Sequence, residues 1–62
     1  MTLFRTIVLE YDLIEIHYNK NLKNKPYLVK VFSYNNSEPN ELRLDHDEIK
    51  NLYDILKQYR YL

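Results

Sequence analysis

The chain has 62 residues, no cysteine, no glycine, and nine basic residues balanced by nine acidic ones. A chain this short makes one domain and buries only about 60% of the surface its unfolded form exposes. Disulfides and thiolate metal sites are excluded, and a balanced charge fits neither a strongly basic nucleic-acid binder nor an acidic DNA mimic. Small domains without such staples rely on a tight core or on a partner chain, so a homodimer is expected. No apolar run approaches the roughly 20 residues that span a bilayer. The opening MTLFRTIVLEYD is cut by Glu10 and lacks a small-residue cleavage site, so a cytoplasmic location is expected.

The charge is unevenly spread. Residues 16–34 carry Lys20, Lys23, Lys25 and Lys30 and no acid, whereas residues 35–54 carry six acids against Arg43 and Lys50. The middle is therefore basic and the approach to the C-terminal segment acidic.

Residues 2–10 (TLFRTIVLE) alternate, with Leu3, Ile7 and Leu9 on one side, and residues 13–18 (LIEIHY) alternate with Ile14, Ile16 and Tyr18 on one side. Both runs are rich in β-branched and aromatic residues, which favour a pleated surface. A two-residue turn at Tyr11-Asp12 would pair Leu9 with Ile14, Ile7 with Ile16 and Arg5 with Tyr18, all on one face. Tyr-Asp is a poor tight turn, which keeps a helix over 3–16 as the alternative. Residues 19–26 (NKNLKNKP) read as a loop in which asparagine supplies the left-handed conformations. YLVKVFSY (27–34) is the clearest strand, NNSEPN (35–40) a second loop, and ELRL (41–44) a short fourth strand with Leu42 and Leu44 on one side.

The run Asp45, His46, Asp47, Glu48 resembles a metal or catalytic cluster but is better explained as the start of a helix. With Asp45 as N-cap, Glu48 falls at N3 and completes a capping box, while Leu44 and Ile49 form the hydrophobic staple. Asp47 is favoured by the helix dipole. Ile49, Leu52, Tyr53, Leu56 and Tyr59 then recur at the spacing of a core-facing stripe, with Lys50, Asp54 and Lys57 opposite. Ile55 and Leu62 widen that stripe on the Tyr59 side beyond what one sheet face covers, so this flank should meet a second molecule or the far edge of the sheet. The expected fold is α+β: a four-stranded, mostly antiparallel sheet with one C-terminal amphipathic helix packed on one face.

Catalysis finds little to work with. The candidates His17, His46, Glu10, Asp12 and Glu15 are scattered, His17 has no obvious carboxylate partner across the hairpin, and Ser33 and Ser37 have no glycine loop beside them. No cofactor or metal is expected. Nucleic acid is a better candidate, because Lys20, Lys23, Lys25 and Lys30 interleave with Tyr18, Tyr27, Phe32 and Tyr34. Cations along phosphates beside aromatic platforms are the means of single-strand binding.

Four strands followed by a helix, with Leu42, Leu44, Glu48, Leu52 and Leu56 marking the junction, resemble the single-stranded-DNA-binding transcriptional coactivators. That resemblance implies a dimer whose curved sheet holds DNA, with Lys20, Lys23, Lys30, Tyr18, Tyr27 and Phe32 as the contact set. The chain departs from the family in having no glycine and no tryptophan.

A third class fits the composition best. Seven tyrosines exceed what so small a core can use, and tyrosine is enriched at recognition surfaces. Phe4, Val8, Phe32 and Tyr34 are expected to line the second sheet face. The expected function is non-catalytic binding of a host protein by a small inhibitor from a phage or mobile element, such as an anti-defence or anti-CRISPR protein. The contacts would come from Tyr18, Tyr27, Phe32, Tyr34, Tyr59 and Tyr61, steered by the basic 20–30 region. The preference for Asn, Lys, Ile and Tyr suits AT-rich codons, as in a low-GC bacterium or one of its phages.

Overall fold

A computed structural model describes residues 2–61. Four strands, β1 (Thr2–Val8), β2 (Asp12–Tyr18), β3 (Tyr27–Ser33) and β4 (Asn40–Leu44), precede one helix, α1 (His46–Gln58). The strands form a single antiparallel sheet in the order β1-β2-β3-β4, which is the expected α+β arrangement. The helical alternative for residues 3–16 is excluded.

Ile7, Ile14, Ile16, Val29 and Leu44 of the sheet close on Ile49 and Leu56 of α1. Leu9, Tyr27, Val31, Leu52 and Tyr53 pack partly buried around this cluster. Ile16, on an inner strand, has no exposed surface. The alternation of β2 thus places Ile14 and Ile16 under the helix, as its period requires.

The first hairpin departs from the expected register. Ile7 faces Ile14 and Val8 faces Leu13, a shift of two residues that preserves the faces but moves the turn to Glu10-Tyr11. Neither turn residue has positive φ, and Leu9 N–H donates to Asp12 C=O at 2.8 Å. The chain therefore closes the hairpin without the primed turns that Asn-Gly would supply. A second departure has larger consequences. Arg5 faces Ile16 and Leu3 faces His17, so Phe4 is an extra residue, a β-bulge in β1. The bulge reverses the alternation of the first residues. Leu3 sits on the face away from the helix, not beside Ile7, and Phe4 turns to the helix side, 6.5 Å from the Tyr53 ring centroid.

The helix begins as its sequence dictates. The Asp45 carboxylate accepts the Glu48 N–H at 2.8 Å, and the Glu48 carboxylate accepts the Asp45 N–H at 3.0 Å. Leu44 and Ile49, the two arms of the staple, are both buried in the core. Asp45→Ala should cost about 1 kcal/mol, read as a lower urea midpoint by circular dichroism. An unchanged midpoint would mean that the box contributes nothing.

Among the described residues two adopt positive φ, Lys25 at 50° and Arg60 at 63°. The left-handed residue of the 19–26 loop is thus Lys25 and not an asparagine. Asn19 instead accepts the Asn21 N–H through its side chain at 3.0 Å. Arg60 takes the position where glycine usually ends a helix. Its N–H donates to Lys57 C=O at 3.1 Å, and Tyr61 N–H donates to Leu56 C=O at 2.9 Å.

Candidate protein-binding site

The bulge builds a site at one edge of the sheet. In a regular strand Phe4 and Arg5 would face opposite ways. Here the Phe4 ring meets Tyr27 and Tyr53, and the Arg5 guanidinium lies 5.9 Å from the Tyr53 ring centroid, within cation–π range. Phe4, Arg5, Tyr53 and Lys57 line a mainly apolar groove of about 300 Å³ between β1 and α1. Phe4 is 57% exposed although it touches two aromatic neighbours. Two cations and no acid line this groove, and one wall is an edge strand whose outer backbone groups pair with no other strand.

The Tyr53 ring is half-buried, but its hydroxyl is enclosed and bonds to no group among the described residues. Desolvation pushes its pKa above the usual phenol value. The nearby Arg5 charge partly offsets that rise, and Tyr27 adds to it. A buried, unpaired hydroxyl is unfavourable. Tyr53→Phe should therefore raise stability by about 1 kcal/mol at neutral pH. Because the folded pKa lies above the unfolded one, the wild-type phenol destabilises the fold once pH exceeds about 10, where the unfolded chain ionises first. The advantage of Tyr53→Phe should then widen through that range in urea titrations. A constant difference would show that the phenol is not desolvated.

The aromatic cluster continues along the end of the sheet. Tyr27 lies 5.1 Å from Tyr18 and 5.2 Å edge-on from His46, while Tyr18 and His46 are 6.5 Å apart. His46, in the first turn of α1, is thus an aromatic partner of Tyr18 and Tyr27. His17 faces Leu3 across the hairpin, and its Nε2 lies 2.9 Å from Glu15 Oε1 on its own strand.

The six expected tyrosine and phenylalanine contacts do not share one surface. Tyr18 and Tyr27 join the helix-side cluster. Phe32 pairs with Leu13 on the opposite face. Tyr34 lies just past β3, is 86% exposed, and lines an open cavity with Glu10 and Tyr11. Tyr59 and Tyr61 are exposed at the end of α1. Ile55 and Leu42 are also exposed, so the flank of the helix opposite Tyr53 is open; Leu62, expected to widen it, lies outside the described residues.

The lysines divide in a similar way. Lys23 and Lys25 line a cavity of about 510 Å³ with Arg43 and His46, and Lys25 Nζ lies 3.1 Å from Glu48 Oε1. Lys20 lies earlier on the same loop. Lys30 is mid-strand in β3, between Glu15 of β2 and Glu41 of β4. Among the described residues no group of three or more His, Asp or Glu side chains is placed to hold a metal ion.

Sequence reasoning missed the edge groove. It put Phe4 on the wrong face, left Arg5 as an ordinary strand residue, and placed Lys57 on a solvent face. The bulge that joins them carries no glycine to announce it.

The fold and this groove define a small α+β plate with an open, bulged sheet edge. Comparisons with protein-family models, with curated proteins and with solved structures find no match for the chain. No helix among the described residues is long and apolar enough to cross a membrane.

Proposed function

We propose that the chain is a non-catalytic protein-binding module that takes an acidic, extended segment of its target along β1. It is the kind of cytoplasmic inhibitor by which a phage or mobile element blocks a host protein through surface occupation. The observation that carries this reading is the juxtaposition of Phe4, Arg5, Tyr53 and Lys57 beside the unpaired edge of β1. An added strand would hydrogen-bond to β1 through its backbone. Its alternate side chains would enter the groove, apolar ones against Phe4 and carboxylates against Arg5 and Lys57. Fluorescently labelled peptides of repeating Val-Thr-Glu-Thr (Val/Glu) and Val-Thr-Lys-Thr (Val/Lys), whose Val and charged residues share one strand face, test this by anisotropy. Binding that weakens as salt rises is expected, with the Val/Lys peptide inert. Equal binding of both peptides, or of neither, refutes the reading.

A second reading rests on the cavity shared by Lys23, Lys25, Arg43 and His46. The lysines and Arg43, with Lys20 and the nearby Tyr18, suit the phosphates and bases of a single strand. This is also the role that the coactivator resemblance implies. An oligothymidine titration should then show steeply salt-dependent affinity that Lys23→Ala and Lys25→Ala remove. The absence of any low-salt binding would eliminate it.

A further inference from the structure

The face of the sheet turned away from α1 has its own order. Cross-strand partners share a face, so the register places Leu3, His17, Leu28 and Arg43 in one row across it. Thr6, Glu15, Lys30 and Glu41 form the next row, and Val8, Leu13 and Phe32 the third. Among the described residues no strand or helix lies over this face, although Leu28 at its first row is buried, at 9% exposure. Val8 is 75% exposed and Leu3 51%. The central row alternates in sign, acid, base, acid, from β2 to β4. Lys30 forms no ion pair among the described residues, while the Glu15 carboxylate is engaged by His17.

We infer that this face is where a second copy of the chain docks, about a two-fold axis that runs along the strands between β2 and β3. The charges permit an axis between β2 and β3 or between β3 and β4, and the apolar row selects the first, because only there does Leu13 lie over the partner's Phe32. Rotation about it lays Glu15 over the partner's Lys30 and the partner's Glu15 over Lys30, so each copy offers a carboxylate to the lysine that forms no ion pair within its own chain. It also lays Leu13 over the partner's Phe32, which covers the apolar row with itself. A two-fold axis across the strands would instead oppose Glu15 to Glu15 and Lys30 to Lys30, which is repulsive. A two-fold axis along β2 opposes Glu15 to Glu15 as well. Stacked sheets cross at about 30°, so the central Glu15–Lys30 pairs stay closest and the corners diverge. The face offers fewer residues than the 20–30 per side of a standard interface, so the dimer is weak, with Kd in the micromolar range at roughly 1–100 µM. The inference is independent of the peptide-binding reading, which uses the opposite face and the β1 edge.

The test is the solution mass, by sedimentation velocity, from about 5 to about 500 µM, a range that brackets such a Kd. Circular dichroism checks the fold of every variant. The wild type should pass from monomer to dimer. Lys30→Glu alone and Glu15→Lys alone should each be monomeric throughout, because each opposes like charges across the axis. Mixed together they should form a dimer containing one copy of each, since Glu then faces Lys at both central pairs. Should a single variant fail to fold, the double variant Glu15→Lys/Lys30→Glu keeps the cross-strand pair within the chain and should dimerise like the wild type. A monomeric wild type at every concentration overturns the inference. So does a dimeric single variant, a mixture of two folded monomers that fails to associate, or a folded double variant that stays monomeric.

Discussion

Ile16→Ala is expected to remove about 3–4 kcal/mol of stability and to leave much of the chain unfolded at 37 °C. Among the described residues Ile16 is the one large side chain with no exposure, and it sits on inner strand β2 under the helix. Truncation loses the transfer energy of its buried carbons and opens a cavity that flanking strands cannot close. A domain of this length has a total stability of roughly 3–9 kcal/mol, so this one change consumes much or all of it. Ile55→Ala supplies the contrast. Ile55 is half-exposed on the open flank of α1, and its truncation should cost about 0.5 kcal/mol or less. Urea unfolding followed by circular dichroism measures both. Equal effects at the two sites would mean that the core lies elsewhere.

The second large effect concerns the edge groove. The double variant Arg5→Glu/Lys57→Glu reverses the sign of its charged lining and should weaken the Val/Glu peptide by about 100-fold or more, a change of about 3 kcal/mol. Both side chains are exposed, so the fold should survive with little change. The reversed groove should also acquire affinity for the Val/Lys peptide, which loss of folding would not produce. Phe4→Ala should weaken either peptide without exchanging the preference, because it removes apolar contact and not charge. Retention of Val/Glu binding by the charge-reversed variant would place the peptide away from the groove.

Much of the fold was legible in the residues, and for a consistent reason. Where a segment has one apolar face, its period determines which side is buried. Ile14 and Ile16 in β2, and Ile49 and Leu56 in α1, lie where that period puts them. The cap was legible because it needs only local chemistry, an acceptor at Asp45 and a carboxylate three residues on. β1 was less legible. Its alternation is compatible with two hairpin registers that differ by two residues, and neither turn carries a glycine signal. The bulge at Phe4 arises from the pairing of β1 with β2 as a whole.

The site was less legible still. A count of tyrosines measures how much recognition surface a chain could offer but not its direction. Tyr27 meets His46 only because the loop between β3 and β4 and the start of α1 bring residues 19 positions apart into contact. Phe32 and Tyr18 point to opposite faces. Phe4 and Arg5 escaped notice because adjacent strand residues normally face opposite ways.

The most direct test maps the Val/Glu peptide onto the protein by amide chemical shifts in an isotope-labelled sample. Shifts concentrated in Thr2–Thr6 and around Tyr53–Lys57, with β4 undisturbed, are the predicted result. Shifts centred on the 19–26 loop, on β4 or on the Val8–Leu13–Phe32 row, with β1 silent, would contradict binding at the bulged edge.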